Sequence, residues 1–212
     1  MSYKHIPAQC NLLQLMQDTS YNDTLRHHER RREFNVSGLK RLAALAVERS
    51  ELDIIRFEKL AEGGFNRTFI ITMRDGYCFV ARIPCLVTEP RSLLVASEVA
   101  TMDFLRSHGI PVPKVLEYSA TADNAAGTEY VFMDLVQGKN LGDMWFDMNE
   151  QKRKTIVTNL VRLETRLFNL RFPANSSIYY CEDLTEHERR VVVPCSNSTS
   201  RFCIGPDTSL PL

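Results

Sequence analysis

The 212-residue sequence is short of several features that would settle its class at once. No apolar run approaches the ~18 residues needed to cross a bilayer, so no spanning helix is expected. Formal net charge is zero, 26 basic against 26 acidic residues, so the chain as a whole has no broad attraction for nucleic acid or an anionic membrane surface. The six cysteines, at 10, 78, 85, 181, 195 and 203, include no C-x-x-C pair, and their gaps fit no zinc pattern. No secretory apolar segment opens the chain, and the cysteines are read as reduced thiols of an intracellular protein.

What is present is an ordinary globular composition, 44% hydrophobic and 25% charged. Residues 1–33 read as a polar, irregular extension. Its basic cluster "RHHERRREF" (Arg26 to Phe34) has no interleaved aromatics and is read as a solvated linker rather than a nucleic-acid patch. The opening "MSYKHIPAQCNLLQLMQ" has no acidic residue, a trait of transit peptides, but also no arginine. Mitochondrial import is therefore one expectation and a cytoplasmic location the other.

From residue 34 the hydrophobic pattern becomes periodic. "VSGLKRLAALAVERS" places Leu39, Leu42, Ala43 and Ala46 on one helical face. The runs "LDIIRFEKL", "NRTFIITM" and "YCFVARIP" are rich in β-branched and aromatic residues and read as three antiparallel strands. Arg74-Asp75-Gly76 joins the last two as a hairpin turn. A helix over "RSLLVASEVATMDFLRSHG" stops at Gly109, followed by strands at "IPVPKVLEYSA" and "TEYVFMDLV". A short helix over "LGDMWFDM" and a long one from about Glu150 to Leu170 follow, the latter with a core stripe of Ile156, Leu160, Leu163, Leu167 and Leu170. Beyond Arg171 the chain reads as turn-rich with one possible strand, "RVVVP". Strands first and helices later, without alternation, indicate an α+β fold and argue against a doubly wound parallel sheet.

Two features carry chemistry. "AEGGFNRTFI" sets two adjacent glycines between the first two strands. A hairpin needs glycine for its backbone angles, whereas a phosphate cradle needs it for close approach of the ligand. The second feature is a pair. On the helix after the third strand, Val95, Val99, Met102 and Leu105 define the apolar face, and Glu98 falls on it between Met102 and Leu105. An inward carboxylate is costly unless a cation meets it. Strand alternation puts Arg82 on one face with Val80 and Pro84, where it can be that cation.

A glycine turn, a strand cation and a helix glutamate in this order resemble the nucleotide lobe of kinase-like enzymes. The details resemble the aminoglycoside phosphotransferase family, and in particular its fungal branch named for altered inheritance of mitochondria. "LAEGGFNRTFII", "VARIP", "SEVATMDFLRSHGIPVPKVLEY", "YVFMDLVQGKNLGDMW", "RFPANSSIYYCEDL" and "FCIGPDTSLPL" carry the resemblance, from about Phe34 to Leu212. It implies a protein-kinase-like fold: a nucleotide lobe at 34–137 with a five-stranded antiparallel sheet and one helix, then the start of a helical lobe at 138–212. It also implies ATP and magnesium as cofactors and a small-molecule hydroxyl as acceptor. By position, Gly63, Gly64, Phe65 and Asn66 match the loop over the phosphates. Arg82 matches the phosphate-contacting cation and Glu98 its ion-pair partner. Asp134, Leu135 and Val136 match the hinge whose backbone would bind adenine. The family also needs an H-x-D catalytic loop and a later metal-binding Asp. None of the five histidines is followed two positions on by Asp, so no catalytic or metal residue is assigned, and the chain reads as a fragment or truncated product. The expected function is the nucleotide-binding portion of a phosphotransferase. The alternatives are a non-catalytic nucleotide-binding or interaction module, and an α+β domain in which Arg82 and Glu98 are only structural.

Overall fold

The computed structural model describes residues 33–63, 65–85, 91–193 and 201–208. The irregular extension, the transit-peptide reading, nearly all of the basic cluster, and Gly64 lie outside the described residues.

Helix α1 (Val36–Ala46) starts where the Asn35 side chain accepts a hydrogen bond from the Gly38 N–H at 3.0 Å, an N-cap that satisfies one of the free donors of the first turn. Strands β1 (Ile54–Glu62), β2 (Asn66–Met73) and β3 (Cys78–Pro84) follow as an antiparallel meander. The β2–β3 turn uses Gly76 at φ +85°, a backbone conformation that costs glycine little. After helix α2 (Arg91–Ser107) come β4 (Val115–Ser119) and β5 (Tyr130–Asp134). The five strands make one antiparallel sheet in the order β1-β2-β3-β5-β4.

Alternation along β3 divides its side chains between two cores. Phe79, Ala81 and Ile83 pack with Leu39 and Ala43 of α1, while Val80 packs with Val95 and Val99 of α2. Arg82 goes with Val80, toward α2. This five-stranded sheet and its helix have the arrangement of the N-terminal lobe of a kinase-like fold, as the resemblance implies.

Past residue 170 the structure differs from the turn-rich expectation. Strands β6 (Ile178–Tyr180), β7 (Val191–Val193) and β8 (Phe202–Ile204) form a second sheet in the order β6-β8-β7. It packs on the far side of α2, where Ile178, Tyr180, Val193 and Phe202 share a core with Val99, Ala100 and Phe104. A helix held between two sheets buries more than one stripe. Phe104 is therefore 2% exposed although the one-sided pattern selected its neighbour Leu105.

Helices α3 (Leu141–Met144) and α4 (Glu150–Phe168) complete the described elements. The stripe on α4 is not core here: the helix has no buried residue, and Leu160 and Leu167 are 52% and 42% exposed. Of that stripe Leu170, just past the helix end, packs against the core. Among the described residues no helix is long and apolar enough to cross a membrane.

Candidate functional site

The site is built at one end of the sheet. Opposite residues of an antiparallel pair share a face, and the β2–β3 register sets Asn66 against Pro84 and Thr68 against Arg82. Asn66, Thr68 and Arg82 therefore lie together on the α2 side. The strand end is closed by two backbone bonds: the Gly63 N–H donates to the Asn66 carbonyl at 2.9 Å, and the Cys85 N–H to the Phe65 carbonyl at 2.8 Å. The turn is thus pinned against the end of β3, and Phe65 is left 52% exposed at its tip.

Gly63 answers the question its sequence raised. Its φ is outside the left-handed region, and a β-carbon there would meet nothing nearer than the Asn66 carbonyl oxygen at 3.9 Å. Among the described residues, neither backbone φ nor packing requires glycine at 63. What a side chain would take up is open space beside the turn, the space a ligand needs to reach the backbone.

Arg82 and Glu98 meet as read: Nη2 lies 2.5 Å from Glu98 Oε1, with side chains 20% and 37% exposed. Arg82 Nη2 is buried and has no hydrogen-bond acceptor in line, so the contact is one of charge, and the planar fork keeps donors for a further partner. The pair brings strand and helix together on the face that Asn66 shares.

The three residues read as the hinge differ in their surroundings. The Asp134 N–H is used by the Lys114 carbonyl at 2.9 Å, and the Asp134 carboxylate accepts from the Tyr77 hydroxyl at 3.4 Å. Leu135 packs on the α2-side core and Val136 is 68% exposed. Leu135 and Val136 thus lead the chain from sheet to helices, with Asp134 closing the strand.

Sequence reasoning passed over a second ionic group at the glycine turn. Glu62 pairs with Lys59 and, at 3.3 Å, with Arg67. The Lys59 hydrogen bond is the main reason its carboxyl is held below the usual range, with Arg67 adding to it and burial opposing it. Register sets Arg67 opposite Ile83, so this group faces the α1 side, away from Arg82. It anchors the turn from behind. The signal was the i, i+5 spacing of Glu62 and Arg67 across the β1–β2 turn, legible once the hairpin register is fixed.

Among the described residues no group of three or more His, Cys, Asp or Glu side chains could hold a metal ion.

Comparison with known proteins agrees with this geometry. Residues 56–192, more than half of the chain, match the model of the phosphotransferase enzyme family. The chain is 40% identical over 153 residues to a subtelomeric hrmA-associated cluster protein of Aspergillus fumigatus, covering 71% of this chain and 29% of that protein. It is 28% identical over 174 residues to altered inheritance of mitochondria protein 9, mitochondrial, of Yarrowia lipolytica, covering 75% of this chain and 30% of that one. To the protein of that name in Debaryomyces hansenii it is 29% identical over 160 residues, covering 68% and 25%. The chain thus spans less than a third of the length of these relatives. The matched region runs from β1 through β7 and includes the glycine turn, Arg82, Glu98 and the hinge, and the chain belongs to the phosphotransferase enzyme family.

Proposed function

We propose that residues 34–137 hold ATP for phosphoryl transfer to a hydroxyl of a small molecule, with α3 and α4 forming the beginning of a second, helical lobe and the second sheet, unlike the helical expectation for 138–212, packed back on α2. The turn that Gly63 opens lies over the phosphates, and Arg82 contacts them as a fork of donors. Glu98 keeps that fork in place, and the backbone of Leu135 and Val136 reads the adenine edge. ATP supplies the phosphoryl group. Catalysis of its transfer is largely positioning and charge stabilisation, which is what a glycine turn and an anchored cation offer.

One observation carries the reading: Arg82, anchored by Glu98, lies on the sheet face that Asn66 shares, beside a turn whose Gly63 the fold itself does not require. Magnesium, which family members generally use with ATP, does not find a ligand group among the described residues and is given no place on them. The acceptor belongs to residues outside this site, and the names of the relatives indicate none. Those names do support a mitochondrial location, which subcellular fractionation of the tagged protein would check.

The test is titration of the chain with MgATP by calorimetry, for wild type and Arg82→Ala. Binding by wild type that weakens tenfold or more in the variant is expected. Equal binding by both would remove the site from Arg82.

A further inference from the structure

We propose that Asp103 and Tyr180 are positioning residues: a pair of Tyr–Asp bonds ties the second sheet to the nucleotide lobe and fixes α2 so that Glu98 stays on Arg82. This rests on the nucleotide reading above. The Tyr180 hydroxyl, at the end of β6, donates to Asp103 Oδ2 on α2 at 2.8 Å. Arg201 Nη1 donates to the same oxygen at 2.9 Å, with its guanidinium 4.6 Å from the centre of the Tyr180 ring. The second bond runs the other way. Tyr118 on β4 donates to Asp183, just past β6, at 2.8 and 2.9 Å from its two oxygens. One bond reaches the helix from the second sheet, and the other reaches the second sheet from the first.

Their placement on α2 is what gives them leverage. Asp103 follows Glu98 by five positions, which at 100° per residue is about 140° around the helix axis. Arg82 therefore holds one side of the helix and Tyr180 nearly the opposite side. Besides the apolar packing of α2, the helix, β4 and the second sheet part around a cleft of about 520 Å³ lined by Asp103, Lys114, Glu117, Tyr118, Tyr180 and Arg201. The Tyr–Asp bonds cross that opening. A rotation of α2 by about 20° would move a side-chain tip about 2 Å, taking a helix radius of about 5–6 Å. That is enough to break the 2.5 Å contact between Arg82 and Glu98.

The experiment uses the full chain, MgATP as probe, and a temperature well below melting. Tyr180→Phe keeps the ring and removes the hydroxyl, Asp103→Ala removes the acceptor, and Asp103→Asn retains an oxygen acceptor. Tyr180→Phe and Asp103→Ala are expected to weaken MgATP binding about three- to tenfold, with Asp103→Asn close to wild type. Adding Tyr180→Phe to Glu98→Gln should then cost little more, because the tether acts through Glu98. Altered melting with MgATP affinity within twofold of wild type would overturn the proposal, as would losses that add independently of Glu98. Hydrogen exchange of the amides of residues 91–107 reads the tether without any ligand. Faster exchange in Tyr180→Phe supports it, and unchanged exchange sinks it. If Arg82→Ala binds MgATP as wild type does, the nucleotide reading fails and the exchange result still decides the tether.

Discussion

Gly38 and Ala125 approach so closely that a β-carbon at 38 would stand 1.9 Å from the Ala125 carbonyl oxygen. The contact seats α1 on the 124–127 turn, where the Asn35 N–H also donates to the Ala126 carbonyl at 2.8 Å. Leu39 and Ala43, beside it, are fully buried against the sheet.

Gly38→Ala should therefore destabilise the protein. Alanine gains up to about 1 kcal/mol in helix propensity, but the clash is with backbone and α1 or the turn must shift. Overpacking of this kind costs about 1–3 kcal/mol. The expected outcome is a net loss of about 1–2 kcal/mol in urea denaturation. A variant as stable as wild type would show that α1 slides on the turn without penalty.

The same substitution at Gly63 should behave in the opposite way. Its β-carbon would stand 3.9 Å from the nearest atom among the described residues beyond its chain neighbours, and its φ is outside the left-handed region. Stability should change by no more than about 0.5 kcal/mol, as for a surface substitution. MgATP affinity should fall about tenfold, because the methyl group fills space the phosphates need. A destabilised Gly63→Ala with unchanged affinity would make the glycine a folding residue after all.

These glycines also show what could be read in advance. The two in the first turn marked the connection between β1 and β2 because their neighbours are strand-forming runs. The inward Glu98 was legible from helical spacing, and Arg82 from strand alternation. Of the second sheet only β7 was legible, as "RVVVP": β6 and β8 are three residues each, set among turn-forming residues, and they are held by α2 rather than by their own pattern. The same omission misplaced Phe104, since a helix covered on two sides has no single stripe. The bond of the Asp134 N–H to the Lys114 carbonyl was not legible, because a linear pattern does not pair the two. On α4 periodicity was read correctly as an apolar stripe, but a stripe reports a face and not its partner.

The Arg82–Glu98 contact should matter to stability as well as to the ligand. Glu98→Gln keeps size and removes charge, leaving the buried Nη2 of Arg82 against a neutral group. Exposed pairs contribute about 0–1 kcal/mol and broken buried ones cost about 3–5. With side chains 20% and 37% exposed this pair falls between, and a loss of about 1–2 kcal/mol is expected. The loss should shrink as salt is raised from 0.05 to about 0.5 M, because screening weakens the contact in wild type. A salt-independent difference would assign the loss to shape rather than charge.

Asp183 makes a prediction with pH. Burial raises its pKa above the ordinary aspartate value, outweighing the Tyr118 hydrogen bond that favours the ionised form, and the neighbouring Glu182 charge pushes the same way. In the window between the ordinary value and the raised one, the folded state binds more protons than the unfolded state. The stability this group contributes is therefore fully present below the ordinary aspartate pKa and is lost as pH rises through the raised folded value. Asp183→Asn is neutral throughout and still offers Tyr118 an oxygen. Its stability relative to wild type should improve from pH 3 to pH 7, with the change concentrated just above the ordinary aspartate range. Denaturation of both proteins across that range checks it. A difference that is flat with pH, or that runs the other way, would mean that the Tyr118 hydrogen bond rather than burial governs this carboxylate.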